Sequence, residues 1–141
     1  MAKQSFSGFE SVENQMKKLS RGIAKRLVEA GATALVKSTE ESVEKYHHVG
    51  KTGSMKENIK AGEYHETLGG GWQEVYPQGT DPRGVSNALK AFVINYGYGG
   101  KKTAKTGDKF ITGNKRKRQS AVAAAMEKEN QKIINEANGG T

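Results

Sequence analysis

Residues 8–45 read GFESVENQMKKLSRGIAKRLVEAGATALVKSTEESVEK, and apolar residues recur there every three or four positions. The apolar positions are Phe9, Val12, Met16, Leu19, Ile23, Leu27, Ala30 and Ala34. This spacing places them on one face of a helix, with lysine and arginine residues on the solvent side. Ser7 and Glu10 match a capping box, in which each side chain bonds a backbone N–H of the first turn. We predict a helix from about Gly8 to Lys45.

Two glycines, Gly22 and Gly31, interrupt this helical pattern. Glycine inside a helix is less favourable than alanine by roughly 1 kcal/mol, so each of them weakens the predicted helix. We interpret Gly31 as a bend or as a point where another helix crosses closely, since a residue without a Cβ atom permits close approach.

Short stretches of alternating polarity after this helix predict small antiparallel strands. Ser54–Ala61 alternates loosely, and Trp72–Tyr76 alternates clearly. The run Gly69–Gly71 between them is typical of a hairpin connection. The polar stretch Pro77–Gly84 holds both prolines of the chain, and we expect a long exposed loop there that is mobile over about residues 77–86.

The segment Asn87–Tyr96 is ambiguous, because residues 86–92 fit either a helix or a strand. Phe92-Val93-Ile94 is aromatic and β-branched and Gly97 ends the run, so the sequence favours a strand over residues 92–94. A second mobile loop is expected over residues 97–113. A final helix from about Asn114 to Ala137 and a loose C-terminal tail complete the chain.

The order of long helix, short strands and final helix predicts an α+β fold. The expected architecture is a long N-terminal helix and a small antiparallel sheet, with the C-terminal helix packed on the sheet. A length of 141 residues fits one domain, so we expect residues 1–141 to form a single unit.

The net charge of +8 is concentrated in one segment. Between Gly99 and Arg118 the chain has eight cations and one anion, Asp108, so this segment carries +7. Together with nearby aromatic residues it forms a predicted interaction arm of Tyr96, Tyr98, Lys101, Lys102, Lys105, Lys109, Phe110, Lys115, Arg116, Lys117 and Arg118. A local positive charge of this kind predicts contact with DNA or with an acidic protein surface.

Glycine-rich residues before the arm do not form a nucleotide-binding loop. A phosphate-binding loop needs a glycine, four residues and then Gly-Lys followed by serine or threonine. In Gly97–Thr103 the first glycine position falls on Asn95, and Lys102 follows Lys101. The pattern therefore fails twice, and a flexible loop is the better interpretation.

Histidines and serines do not form a recognisable catalytic or metal-binding pattern either. His47 and His48 are adjacent and point in different directions on any regular element, while His65 is distant. Ser54 and Ser86 lie in turn-like settings without a nucleophile-elbow motif. We predict that the protein is not an enzyme and uses neither a cofactor nor a metal ion.

Other classes are disfavoured by composition. The chain has no cysteine, which excludes disulfides and thiolate metal sites. No run approaches 18 consecutive apolar residues, so we expect no membrane span. Met1–Phe6 lacks the apolar core of a signal peptide, and we expect the protein to be made and used in a cytoplasm.

Several short motifs occur in a recognisable order along the chain. A Thr-Gly turn leads into a strand at Lys51–Ile59, and an apolar run ends in an aromatic residue and glycine at Phe92–Gly97. An aromatic–aliphatic pair, Phe110-Ile111, precedes an alanine-rich helix that begins at Lys115. Together with the long first helix, this order resembles the HK97 gp10-like family of phage tail-completion proteins, also described as minor tail or head–tail joining proteins.

The resemblance implies a virion structural protein without a cofactor or catalytic residue. It implies a subunit that forms a ring, a hexamer when assembled, and that joins the tail tube to the head connector. The expected partners are further copies of the chain, the tail-tube protein and the connector proteins, and the expected location is the virion, with the host cytoplasm during assembly. The alternative is a small nucleic-acid-binding protein that uses the 99–118 segment, and non-specific contact with DNA is compatible with both.

Overall fold

The computed structural model describes residues 2–46, 54–98, 105–106, 110–113 and 115–139. In chain order its elements are α1 (Ala2–Tyr46), α2 (Ser54–Glu57), β1 (Ile59–Thr67), β2 (Gly70–Pro77), α3 (Asn87–Tyr96), β3 (Gly97–Tyr98), β4 (Lys105–Thr106) and α4 (Lys115–Ala137). The long first helix, the antiparallel hairpin and the final helix confirm the predicted α+β fold. The helices predicted at about 8–45 and 114–137 correspond to α1 and α4. The predicted start of the first helix is wrong, because α1 begins at Ala2 and Ser7 therefore lies inside the helix instead of capping it with Glu10.

α4 packs along α1 and also contacts the sheet. A Cβ atom at Gly31 would lie 3.2 Å from the Cγ atom of Met126, so the two helices approach closely at this glycine. Towards the N terminus of α1, Arg26 donates to Glu129 Oε1 over 2.9 Å and to Glu136 Oε2 over 2.6 Å. The two helices therefore run antiparallel, and the interpretation of Gly31 as a close helix crossing is confirmed.

β1 and β2 form an antiparallel hairpin that lies against α1. Thr67 pairs with Gly70, which leaves a two-residue connection in which Gly69 has a φ of 86°. This left-handed backbone conformation favours glycine, as the glycine run predicted. The register shifts between Ala61 and Tyr64, where a β-bulge bends β1.

The two faces of the hairpin differ in exposure. Trp72, Glu74 and Tyr76 are exposed, while Gln73 and Val75 are partly buried on the opposite face. This is the alternation predicted for residues 72–76, and it follows from the period of two along a strand. The hairpin therefore covers α1 with one face and presents the other face to solvent.

The hydrophobic core lies where α2, the start of β1 and α3 meet the C-terminal part of α1. Its buried members are Val43, Met55, Ile59, Ala91 and Phe110. Phe110 is fully buried and comes from the short segment that precedes α4. A residue from the predicted interaction arm therefore completes the core.

The strand predicted over Phe92–Ile94 is wrong, because these residues lie inside helix α3. Ser86 caps this helix, and its hydroxyl accepts a hydrogen bond from the Leu89 backbone N–H over 3.3 Å. Local β propensity is overridden because helical spacing places Ala91 in the core. Asn95, one turn further along the helix, is buried as well.

The strand predicted over Ser54–Ala61 is only partly present. Ser54–Glu57 forms one helical turn, α2, and β1 begins at Ile59. The backbone N–H of Asn58 donates to the Ser54 carbonyl over 3.2 Å and closes this turn. The turn buries Met55 in the core, which an extended strand start does not explain.

The loop between β2 and α3 is exposed along most of its length, as predicted, but it is held by hydrogen bonds. Asp81 is buried, and its backbone N–H donates to the Val85 carbonyl over 2.9 Å. Asn87 donates from its side chain to the Gln78 carbonyl over 2.8 Å. The segment is therefore an exposed loop that hydrogen bonds tie together, and its mobility stays a prediction.

The second loop, predicted to be mobile over residues 97–113, lies partly outside the described residues. Its described part includes β3 and β4, which pair antiparallel with Gly97 opposite Thr106. Residues 99–104 and 107–109 are outside the description, as are residues 140–141 of the predicted tail.

Candidate functional site

An open groove of about 630 Å³ lies between α1, β2, α3 and α4. Its walls are mainly apolar and include Leu35, Val75, Ala91, Phe92, Val122 and Met126. The groove forms because α3 and α4 both contribute apolar faces that do not close onto each other. A groove of this size and character is suited to bind an apolar segment or ligand.

Aromatic side chains form the rim of the groove. Tyr76 of β2 is 43% exposed, and Phe92 and Tyr96 of α3 are 59% and 62% exposed. The rings of Phe92 and Tyr96 lie one helical turn apart with their centroids 4.8 Å from each other. Exposed aromatic residues around an apolar groove are typical of surfaces that bind another molecule.

One cation is buried in the wall of the groove. Arg118 of α4 is only 8% exposed, and its burial lowers the pKa of the guanidinium. No hydrogen bond or ion pair joins Arg118 to any other residue in the described ranges. Since a buried charge without a partner is unfavourable, this site favours an acidic group on whatever occupies the groove.

A second polar group in the groove wall is also only partly satisfied. The Asn95 side-chain oxygen accepts hydrogen bonds from the backbone N–H groups of Ile111 and Thr112, over 2.9 and 3.1 Å. These bonds fix the segment before α4 against α3. The Asn95 side-chain nitrogen is buried and has no hydrogen-bond partner within the described part of the chain.

The N-terminal part of α1 forms a second apolar surface, which we call the α1 tip and define as residues 11–20. Every residue of the α1 tip is exposed. Val12 is 55% exposed, and Met16 and Leu19 are each 66% exposed. These three residues belong to the stripe that packs against α4 further along the helix, so the apolar face continues where α4 no longer covers it.

Several residues of the predicted interaction arm remain available for contact. Lys115, Arg116 and Lys117 are exposed in the first turn of α4 and form no ion pair within the ranges that the structure describes. Tyr96 lies on the rim of the groove. These four residues are therefore on the surface, as the prediction requires.

Two residues of the predicted arm are buried in the folded chain, and their part in an interaction stays a prediction. Phe110 is part of the core, and Arg118 is buried in the groove wall. Charge and sequence proximity do not reveal burial, because Arg118 points to the inner side of α4 while its three neighbours point outward.

The remaining arm residues are not fully described. Lys101, Lys102 and Lys109 lie outside the described residues, and Tyr98 and Lys105 lie in the short strands β3 and β4. His47 and His48 also lie outside the described residues. His65 stacks on Trp72 with ring centroids 4.2 Å apart, which occupies it on the outer face of the hairpin.

Neither a metal cluster nor a membrane-spanning helix is found in the described residues. No group of three or more histidine, cysteine, aspartate or glutamate side chains converges there. No helix among them combines the length and apolar character needed to cross a bilayer. The described residues that line the groove include neither a carboxylate nor an imidazole.

Comparisons with family models, curated proteins and solved structures give no match to this chain. The groove and the α1 tip must therefore be interpreted from their own residues. The sequence does contain a signal for the α3 wall of the groove alone, since Ala88, Ala91, Phe92 and Asn95 recur at helical spacing.

Proposed function

We propose that the protein is a phage virion structural protein of the tail-completion type. It acts as a ring-forming subunit, a hexamer when assembled, that joins the tail tube to the head connector. The observation that carries this proposal is the exposed apolar stripe of the α1 tip, at Val12, Met16 and Leu19.

An exposed stripe of this kind has a physical cost in an isolated chain. Full burial of a valine, leucine or methionine side chain stabilises a protein by about 1.5–3 kcal/mol. Because Val12, Met16 and Leu19 are more than half exposed, the isolated chain lacks much of this stabilisation. A helix end that packs on nothing is also marginally stable in water. Both costs are removed when another chain covers the stripe, which favours a subunit that completes its packing during assembly.

The groove supports an assembly role more than a catalytic one. It is open, apolar and rimmed by aromatic residues, and it has one buried cation in its wall. The protonation chemistry of general acid–base catalysis usually relies on a carboxylate or imidazole. Neither group lines the groove in the described residues.

The resemblance to the tail-completion family adds the identity of the assembly. The motif order that carries it runs from the long first helix through Phe92–Gly97 and Phe110-Ile111 to the alanine-rich last helix. Phe110 packs in the core directly before α4, which gives this pair a structural reason to precede the last helix.

Electron microscopy tests the proposed function directly. The purified chain is mixed with tails from a phage mutant that lacks it and with isolated connectors. We expect ring-shaped density at the connector end of the tails, and restored joining of tails to heads. A chain that binds neither tails nor connectors contradicts the proposal.

A second candidate function is non-specific binding of duplex DNA. It is favoured by the exposed cations Lys115, Arg116 and Lys117, which make no ion pair within the described residues. Each phosphate that a cation neutralises contributes about 0.9 to the slope of log affinity against log salt. Replacement of all three by serine should therefore lower the slope by about 2.7.

A matched variant separates specific contact from total charge. Lys17, Lys18 and Lys25 are also exposed, and they lie on α1 away from the groove. Their replacement by serine removes the same charge and should leave the slope nearly unchanged. Equal effects of the two triple variants contradict a DNA-binding role for the first turn of α4.

A further inference from the structure

We propose that the α1 tip of one copy docks in the groove of the next copy, with Glu13 of the incoming helix facing Arg118. This inference rests on the proposed function, since it names the contact through which the copies of a ring would join. The two surfaces have complementary character, because one is a projecting apolar stripe and the other an unfilled apolar groove.

The two surfaces lie at opposite ends of the same helix. The tip is centred near Met16, whereas Leu35 and Thr39 of α1 line the groove. A helix rises about 1.5 Å per residue, so the 19 residues from Met16 to Leu35 span roughly 28 Å. Because α1 is one continuous helix, the tip cannot fold back into the groove of its own chain.

This separation determines the geometry of assembly. A contact between two different surfaces of identical subunits is heterologous, and it produces a closed ring when the rotation between subunits closes. A contact between two copies of the same surface instead ends at a symmetric dimer. Docking of the tip in the groove therefore provides the head-to-tail contact that a ring requires.

Charge complementarity favours this occupant over a purely apolar one. Arg118 is 8% exposed without an ion pair in the described chain, and an apolar occupant would bury it further. Glu13 lies one residue after Val12 and one helical turn before Met16, so the docked stripe brings a carboxylate with it.

The present partner of Glu13 does not prevent this exchange. Glu13 pairs with Lys17 over 2.8 Å, and both side chains are at least half exposed. An exposed pair of this type contributes little to stability, since solvent and salt screen it. When Glu13 exchanges its ion pair with Lys17 for one with Arg118, its carboxylate therefore gains a less screened cation. Loss of the exposed pair costs little stability.

Two complementary variants test the contact. Met16→Glu disrupts the tip and leaves the groove intact, whereas Phe92→Glu disrupts the groove and leaves the tip intact. Sedimentation velocity of the full chain should show oligomers for the unmodified protein and monomers for each variant alone. An equimolar mixture should form a 1:1 heterodimer, because the intact tip of one variant fits the intact groove of the other.

Two matched control variants introduce the same negative charge at exposed positions outside the stripe and the groove. Asn14→Glu introduces the same charge on an exposed position of the α1 tip outside the stripe. Leu89→Glu does so on α3 at a residue that is 57% exposed, close to the 59% of Phe92, but that does not line the groove. Both should assemble like the unmodified chain, and circular dichroism should show unchanged helix content for all four variants.

The role of the carboxylate has its own test. Glu13→Gln should weaken self-association on the order of tenfold, since it leaves Arg118 without a charged partner. Glu29→Gln is the control, because Glu29 also pairs with a lysine four residues away on exposed α1. The same loss in both variants overturns the pairing of Glu13 with Arg118.

Four outcomes overturn the docking itself. Two of them concern the variants: the Phe92→Glu variant self-associates as strongly as the unmodified chain, or the mixture of the two variants stays monomeric. The other two concern the unmodified chain, which is monomeric at all concentrations or forms no oligomer larger than a dimer. The proposed function is judged separately by microscopy with tails. If rings form on tails but the two variants do not associate when mixed, the proposed function stands and this contact is rejected. If the variants associate but the chain does not bind tails, this contact stands and the proposed function is rejected.

Discussion

Asp81 shows how a single residue stabilises the loop between β2 and α3. Its carboxylate accepts hydrogen bonds from the backbone N–H groups of Arg83 and Val85 over 2.8 and 2.9 Å, and it forms an ion pair with Lys90. The side chain of Asp81 is fully buried, so these bonds replace the water it loses. The hydrogen bond from Lys90 and those from the backbone lower the pKa of Asp81 well below its ordinary value.

The first prediction concerns acid stability. Because the folded-state pKa of Asp81 lies below the unfolded value near 3.9, its contribution is present above about pH 4 and is lost as the pH falls towards the folded-state pKa. Asp81→Asn should lower the free energy of unfolding at pH 7 and should flatten its dependence on pH between 5 and 2. Urea unfolding at several pH values measures both effects.

The control for this prediction is Glu63→Gln, which changes an exposed carboxylate of β1. It should leave both the stability at pH 7 and the slope of stability against pH close to those of the unmodified chain. An Asp81→Asn variant that keeps the full acid dependence contradicts the assignment of that dependence to Asp81.

Gly22 and Gly31 provide a second prediction, since the same residue type in one helix has two different surroundings. Nothing lies within 4 Å of a Cβ atom placed at Gly22, whereas one at Gly31 would lie 3.2 Å from side-chain atoms of Met126 and Val122. Gly22→Ala should therefore raise the free energy of unfolding by up to about 1 kcal/mol, through helix propensity alone. Gly31→Leu should lower it by roughly 1–3 kcal/mol, because the added atoms overpack the α1–α4 contact.

Urea unfolding monitored by circular dichroism measures this pair of variants. Opposite signs of the two changes support a close helix crossing at Gly31. A Gly31→Leu variant that is as stable as the unmodified chain would mean that α4 does not approach α1 at this residue.

At the scale of elements, the short segment before α4 links the core to the groove. Phe110 fills the core, and Asn95 of α3 holds the next two residues by their backbone N–H groups. α4 begins directly afterwards and places Arg118 in the groove wall. The position of the groove therefore depends on a core contact made by a residue outside any long element.

The third prediction separates the two phenylalanines of this region. Phe110→Ala should lower the free energy of unfolding by about 3–5 kcal/mol, because it leaves a cavity in the core. Phe92→Ala should lower it by less than about 1 kcal/mol, since that side chain is 59% exposed. Chemical denaturation of both variants in dilute solution is the measurement, and equal losses contradict the different burial of the two rings.

At the scale of the whole molecule, the mass of the protein is concentrated around the C-terminal part of α1. α4 and the hairpin cover the middle of the helix, and the core lies near Val43. The α1 tip extends beyond them, with the ion pair of Arg21 and Glu66 near the point where cover begins. A compact body with one projecting helix is a suitable shape for a subunit that joins its neighbours.

The fourth prediction follows from this uneven cover. In dilute solution the backbone amides of residues 11–19 should exchange with deuterium roughly a hundredfold faster than those of residues 35–43, since an unpacked helix end opens locally. In assembled material the tip should become protected while residues 35–43 change little. Hydrogen exchange followed by mass spectrometry makes this comparison on the full chain, and equal protection of the two segments in the dilute monomer contradicts it.

The sequence by itself determined the two long helices, the hairpin and the α+β class. The signals for these elements are local: helical periodicity, the alternation of Trp72–Tyr76 and the glycines of the hairpin connection. Each involves only a few neighbouring residues, so it can be recognised in the sequence without knowledge of the tertiary structure. Local signals gave the wrong prediction of a strand at Phe92–Ile94. Packing against the core, and not local β propensity, makes the backbone helical there.

Only the tertiary structure decided which residues form the groove and which are buried beside it. The sequence places three residues, Phe110, Asp81 and Arg118, in polar stretches or loops, where exposure is expected. In the folded chain all three are buried. The groove itself exists because α1, β2, α3 and α4 meet without closing, and no local pattern encodes the space between elements that are far apart in sequence.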